Sequence, residues 1–139
     1  MPVVDEAEMR QRVSVASVGR LVTIGPAGPD IVPFCFALAG DTLYSAVDHK
    51  PKQTFRLRRL ANIKRQPSVS VLVDHYEDDW SRLWWVRIRG SAMVVESDAR
   101  AVDLLVAKYP QYQEVRPAGP FVVIAAEEWR GWQGWQPAR

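Results

Sequence analysis

The chain has 139 residues, 47% of them hydrophobic, and a formal net charge of +2, which fits one globular domain with a sizeable core. The near-neutral charge argues against a nucleic-acid coat. No apolar run approaches the roughly 20 residues that span a bilayer. The single cysteine, Cys35, excludes an internal disulfide. Because the N-terminus also lacks the apolar segment of a signal peptide, a cytoplasmic protein without a membrane partner is expected.

The hydrophobic pattern predicts three helices and six strands. In chain order they are a helix over residues 5–18, strands over 21–24, 31–39 and 42–47, a helix over 53–66, strands over 69–73 and 84–96, a helix over 98–108 and a strand over 121–126. Hairpin signals such as Gly40-Asp41 join consecutive strands. The order therefore predicts one α+β domain, an antiparallel sheet or barrel with helices packed outside. It lacks the regular βαβ alternation of a parallel nucleotide-binding sheet.

Pro33 falls inside the second predicted strand. Because proline cannot donate to a ladder, it marks a sheet edge, a bulge or a gap filled by a ligand. Cys35, in the same apolar run, is predicted to be a small core residue. Together with His49 and His75 it matches no metal-ligand spacing, so no metal site is predicted. No self-contained catalytic motif occurs, so the hard chemistry of an enzyme would belong to a bound cofactor.

Residues 48–56 are the strongest candidate site, since they follow a strand and open a helix. Backbone N–H groups at a helix N-terminus favour an anion. Lys52, Arg56 and Arg59 share one stripe of that helix, and Lys50 adds a charge before it. Residues 50–65 contain no acid, which favours a phosphate site over the alternative, a solvated basic helix face. Nucleic-acid binding by the same run is the weaker choice.

Strand alternation places Trp85, Arg87 and Arg89 on one face. An indole beside guanidinium groups can cover a flat conjugated ring and contact its negative edge. The alternative is a tryptophan at a dimer interface with arginines in salt bridges. The two interpretations are compatible if the ligand lies at that interface. Three tail tryptophans are predicted to pack across the barrel or a partner. They are Trp129, Trp132 and Trp135.

Several strings of the chain resemble the F420-dependent branch of the pyridoxamine-phosphate-oxidase-like family. They are Val32–Leu38, Gly40–Tyr44, Val47–Lys52, Leu57–Ile63 with Pro67, Val73–Tyr76, and Asp79–Arg87 with Gly90. The resemblance covers nearly the whole chain. It implies an FMN-binding-like split β-barrel, mainly antiparallel β with helices outside, that forms a homodimer with two cofactor sites at the interface.

The resemblance also implies which residues hold the cofactor. Lys50, Lys52 and Arg56 would bind its phosphate, and the strand over residues 32–36 would run beside its ring. The further implied cofactor contacts are Pro33, Phe34, Val47, Asp48, Trp85 and Arg87. The strings favour coenzyme F420 over FMN, and Arg58 and Arg59 would suit the acidic oligoglutamate tail of F420.

The implied function is an F420H2-dependent oxidoreductase that transfers a hydride to a small unsaturated acceptor. One alternative is a protein that binds or carries F420 or FMN without fast turnover. Another is an FMN-dependent enzyme of the same superfamily. No catalytic residue is assigned, because His49, Tyr44 and solvent are equal candidates for the proton donor.

Overall fold

The computed structural model describes residues 4–47 and 54–134, with the backbone alone for residues 54–57. The elements in these ranges are α1 (Glu6–Val15), β1 (Gly19–Gly25), β2 (Gly28–Phe34), β3 (Ala37–Ala39), β4 (Thr42–Ala46), α2 (Thr54–Arg65), β5 (Ser68–His75), β6 (Trp84–Val95), α3 (Ala99–Lys108), α4 (Pro110–Glu114) and β7 (Phe121–Gln133), with a 3-10 turn, Trp80–Arg82, before β6. None of these helices is long and apolar enough to cross a bilayer.

The strands form one antiparallel sheet in the order β2-β1-β5-β6-β7-β4-β3. Its two edge strands, β2 and β3, follow one another in the chain, and only Cys35 and Phe36 join them. Three Cα steps reach about 11 Å at most. The two edges must therefore come together, so the sheet curls into a barrel. The antiparallel α+β fold predicted from the sequence is confirmed.

The core lies inside the curled sheet, because alternate strand residues point inward. Val69, Val71 and Val73 of β5 are buried, as are Val86 and Ile88 of the adjacent strand β6. A smaller cluster packs α3 against the sheet at Ala37, the first residue of β3. Residues of α1 and α2 complete the main core, since Met9, Val13, Leu60 and Ile63 belong to the same cluster as the buried strand residues.

The strand predicted over residues 31–39 is instead two strands with a break at Cys35 and Phe36. At this break the backbone makes hydrogen bonds with side chains, where a continuous strand would make them with a neighbouring strand. Ser45 Oγ donates to the Cys35 carbonyl at 2.7 Å, and the Phe36 N–H donates to the Tyr109 hydroxyl at 3.0 Å. Phe34 and Phe36 stack at 5.2 Å between ring centroids. The prediction of Cys35 as a core residue is wrong, because the break leaves its side chain exposed.

The boundaries of other elements also differ from those predicted from the sequence. The first helix ends at Val15, three residues early, so that the chain can enter β1 at Gly19. The last strand runs on to Gln133, because β6 pairs with it as far as Trp84. Pro33 lies on β2, an edge strand, which is the first of the three positions expected for it.

Candidate functional site

The outer face of β5, β6 and β7 gathers aromatic and cationic side chains in two adjacent rows. In one row Trp85 pairs with Trp132 of β7 on one side and with Asp74 of β5 on the other. In the next row Arg87 pairs with Arg130 of β7. Val86 is buried on the opposite face, at 0% exposure. The predicted alternation of β6 is confirmed, and the register adds Trp132, which the sequence alone could not bring beside Trp85.

A cavity of about 330 Å³ opens at this row, with largely apolar walls. This outer-face cavity is lined by Leu72, Asp74, His75, Tyr76, Leu83, Trp84, Trp85, Arg87 and Trp132. At its rim His75 Nε2 contacts the Glu77 carboxylate. Two indoles and a guanidinium form its most distinctive wall, which suits a flat ring.

Arg87 carries the strongest sign that a polar group belongs at this wall. Its guanidinium carbon lies 5.9 Å from the centroid of the Trp85 ring. Its Nε is buried and has no hydrogen-bond partner among the residues that the structure describes. A buried donor left unpaired costs about 1–3 kcal/mol, so an acceptor atom from a bound molecule would stabilise this arrangement.

The local charge also favours an anion. One carboxylate, Glu128, is surrounded by three guanidinium groups, with Oε1 at 4.0 Å from Arg87, 3.8 Å from Arg89 and 3.5 Å from Arg130. These distances and the exposure of Arg89 and Arg130 make each pair weak. Against these three cations stand Glu128 and also Asp74, which lines the cavity, so the patch keeps one net positive charge. The lining of the outer-face cavity therefore fits a conjugated ring with an electron-rich edge.

A second, larger cavity of about 560 Å³ lies beside the β2–β3 break. This Lys108 cavity is lined by Val15, Ser17, Cys35, Lys108, Tyr109, Pro110, Gln111 and Tyr112. Lys108 Nζ donates to the Phe36 carbonyl at 2.8 Å and lies 4.2 Å from the centroid of the Phe36 ring. Burial lowers the pKa of Lys108 to about 8, against a small opposing effect of Cys35.

Tyr109 holds the β2–β3 break in place from the far end of α3. Its hydroxyl accepts from the Phe36 N–H and lies 2.9 Å from the Ser17 carbonyl oxygen, to which it donates. Burial raises the pKa of Tyr109 to about 12. Sequence reasoning missed both Lys108 and Tyr109, because Tyr109-Pro110 after an amphipathic helix is an ordinary helix end. The only local signal was a lysine in the last turn of the helix.

The predicted phosphate site falls largely outside the described residues. Asp48, Lys50 and Lys52 lie there, and for Arg56 only the backbone, in the first turn of α2, is described. The structure does confirm the helix that follows them, α2, which contains no acidic residue. The phosphate-binding role of these residues stays a prediction.

The structure separates the other predicted contacts. Trp85 and Arg87 lie together on the outer face. Pro33 is exposed on β2, whereas Phe34 and Val47 are buried in the core, at 5% and 6% exposure. Phe34 and Val47 therefore present no side chain to the outer-face cavity. Their roles as cofactor contacts stay predictions.

Among the described residues no group of three or more His, Cys, Asp or Glu side chains could hold a metal ion. At the rim of the outer-face cavity His75 contacts Glu77. The Glu77 carboxylate also lies 3.5 Å from the Arg82 guanidinium.

Solved structures share this fold over nearly the whole chain. The conserved hypothetical protein Rv2991 from Mycobacterium tuberculosis is 25% identical with a TM-score of 0.74, over 94% of this chain and 86% of that one. An FAD-binding protein from Mesorhizobium loti is 19% identical, with a TM-score of 0.68 over 94% and 93% of the two chains. The FAD binding protein from Mycobacterium smegmatis is 19% identical, with a TM-score of 0.67 over 96% and 98%.

No curated protein matches the chain. The family model of pyridoxamine 5'-phosphate oxidase matches residues 5–133, which is almost the whole described fold. The match runs from α1 to the end of β7, so it includes both cavities. The chain therefore belongs to the pyridoxamine 5'-phosphate oxidase family.

Proposed function

We propose that the protein is an F420H2-dependent oxidoreductase that acts as a homodimer on a small unsaturated acceptor. The observation that carries this proposal is the wall of Trp85, Trp132 and Arg87 in a chain of this family. When bound, reduced F420 supplies a hydride from its ring to the acceptor. The protein's residues bind and orient the ring, and they exclude water from it.

The outer-face cavity supports a shared site. At about 330 Å³ it lies at the small end of the range of about 300–1,000 Å³ typical of ligand sites, and it is open on one side. A tricyclic ring with a phosphate and an acidic tail needs further walls. A second copy of the chain would supply them with its β2–β3 region and the start of its α2. The partner would then provide the phosphate cations, Lys50, Lys52 and Arg56.

In this arrangement the residues of the outer face have separate tasks. Trp85 and Trp132 cover the ring, because indole faces stack well on conjugated systems. Arg87 Nε, which is buried without a partner among the described residues, donates to an acceptor atom at the ring edge. The choice of F420 over FMN rests on the sequence strings and on the basic run of residues 50–65, which suits a long acidic tail.

Titration with F420, followed by ring fluorescence, tests the cofactor and the wall together. We expect saturable binding to the unmodified protein, and about tenfold weaker binding to Arg87→Ala, since a hydrogen bond to a charged group contributes about 1.5–3 kcal/mol. Arg116→Ala is the control. It removes an exposed guanidinium that neither lines the cavity nor belongs to the positive patch, so its affinity should stay within about twofold.

The same titration with Lys52→Ala/Arg56→Ala tests the phosphate site. Weaker binding of F420 by this double variant would support the basic run as the phosphate-binding segment. An unchanged affinity would remove that role. A protein that gives no response to F420 at micromolar concentrations would overturn the proposed cofactor.

The alternative is a flavin-binding protein, and the FAD-binding proteins of the same fold favour it. FMN and FAD are therefore titrated in parallel. A protein that binds FMN alone belongs to the flavin branch. Tight F420 binding without hydride transfer to quinones or enones would instead indicate a carrier.

A further inference from the structure

The Lys108 cavity pairs a half-buried cation with mainly uncharged walls. Lys108 Nζ has one described hydrogen bond, to the neutral carbonyl oxygen of Phe36. No carboxylate forms an ion pair with it among the residues that the structure describes, and the main effect on its pKa is burial, which lowers it. An ammonium group withdrawn from water without a counter-ion is costly. An anionic ligand in the cavity would relieve that cost.

The rest of the lining favours a small organic molecule over a bare inorganic ion. Val15, Pro110 and Tyr112 provide apolar surface, and Gln111 adds an amide. The volume of about 560 Å³ lies well within the range of about 300–1,000 Å³ for small-molecule sites. An inorganic ion would leave most of this surface uncovered. A flat apolar body with one acidic group fits both the walls and the cation.

The position of the cavity connects it with the proposed reaction. Cys35, which lines it, lies in the β2–β3 region that the proposed dimer brings to the cofactor site. We propose that the Lys108 cavity binds the acceptor, and that the acceptor is a small unsaturated carboxylate whose acidic group pairs with Lys108. This inference rests on the proposed function. Reduction of the C=C bond takes one hydride from reduced F420 and one proton from solvent, and it leaves oxidised F420.

The charge on Lys108 makes the binding dependent on pH. The other titratable groups around the cavity are Cys35 on the β2–β3 break, Tyr109 at the end of α3 and Tyr112 on α4. The pKa of Tyr109 is about 12, so this hydroxyl stays neutral across the working range. The pKa of Lys108 is about 8. As the pH rises through about 8, Lys108 loses its charge and the carboxylate loses its partner.

Cinnamate and cinnamamide provide a matched pair of probes, because they have the same shape and differ in the charge of one group. Calorimetric titration of the cofactor-free protein at pH 7 should show cinnamate binding about tenfold more tightly than cinnamamide, the effect expected of one charge-assisted hydrogen bond. In Lys108→Met, which keeps an unbranched side chain one atom shorter and removes the charge, the preference should vanish.

The pH series separates the lysine from its neighbours. Between pH 7 and pH 9 the preference of the unmodified protein for cinnamate should fall several-fold. In Lys108→Arg it should stay constant, because a guanidinium remains charged. In Cys35→Ser the fall should persist, since the thiol is not its source. The pH dependence of the unmodified protein tests the proposal by itself, so the test remains valid even if Lys108→Met folds poorly.

Equal affinity for the two probes in the unmodified protein would overturn the inference, as would a preference for cinnamate that survives in Lys108→Met. Both affinities, for cinnamate and for cinnamamide, are measured on the cofactor-free protein. The F420 titration is a separate measurement, so either proposal can fail while the other stands. A cinnamate preference without F420 binding would leave an acid-binding site and remove the proposed cofactor.

Discussion

At the scale of single residues, one buried amide connects three elements. Asn62 of α2 is 2% exposed, and its Nδ2 donates to Thr23 Oγ1 of β1 at 3.0 Å and to Asp30 Oδ2 of β2 at 2.8 Å. Thr23 is equally buried. The two hydrogen bonds attach α2 to the first hairpin. They therefore fix the helix that carries Arg56, one of the three predicted phosphate-binding residues.

Asn62→Ala should lower the free energy of unfolding by about 2 kcal/mol, because it leaves the buried Thr23 hydroxyl and the Asp30 carboxylate without their donor. Urea denaturation followed by tryptophan fluorescence measures the change. Lys64→Ala, an exposed position on the same helix, should shift the value by less than about 0.5 kcal/mol. Equal effects of the two substitutions would show that the amide contributes nothing specific.

At the scale of elements, the long pair β6–β7 determines the shape of the outer face. The register shifts between Arg89 and Gly90, so that Arg89 pairs with Glu128 while Gly90 pairs with Ala126. A bulge of this kind increases the local twist of the two strands. It leaves Trp85 opposite Trp132 on one side and continues the ladder to Phe121 on the other. The glycine is required here by close approach of the backbones.

Gly90→Ala should destabilise the protein by about 3 kcal/mol, at the upper end of the usual cost of overpacking. The added Cβ would lie 2.0 Å from the Ala125 carbonyl oxygen, which is backbone and cannot move aside alone. Met93→Ala, exposed on the same strand, is the control. Thermal unfolding measures both variants, and a melting temperature for Gly90→Ala equal to that of the control would contradict the close packing of the bulge.

At the scale of the whole molecule, the exposed aromatic residues favour association. Tyr76, which lines the outer-face cavity, is 73% exposed, and Trp80, in the turn before β6, is 68% exposed. Large aromatic side chains exposed beside a cavity would gain stability from burial by a partner. A dimer that buries it would also complete the proposed cofactor site. The proposed function and the proposed dimer therefore depend on the same surface.

Light scattering should give twice the chain mass of 15.8 kDa for the unmodified protein. Tyr76→Ser/Trp80→Ser should shift the mass towards one chain while the circular dichroism spectrum stays unchanged, because both side chains lie outside the core. Val115→Ser, at a position 75% exposed at the end of α4, should remain dimeric. A monomeric unmodified protein would contradict the proposed dimer.

The sequence by itself determined most of the elements and the antiparallel class of the fold. Strand and helix periods follow from local backbone geometry, so Val69, Val71 and Val73 could be placed on one face of their strand before any contact was known. In the same way Trp85 and Arg87 could be placed on one face of theirs, but only the structure shows that this face is the outer one. The hairpin turn at Gly40-Asp41 is likewise local, since Gly40 has φ +59°, a value that glycine adopts readily.

Only the tertiary structure decided where distant segments meet. The break at Cys35 and Phe36 is bonded by Lys108 and Tyr109, more than 70 positions away in the chain, and no periodicity reports such a contact. The extension of β7 to Gln133 follows from its pairing with β6. Both cavities arise from these long-range contacts, because a cavity is the space between segments whose relative position the local pattern does not contain.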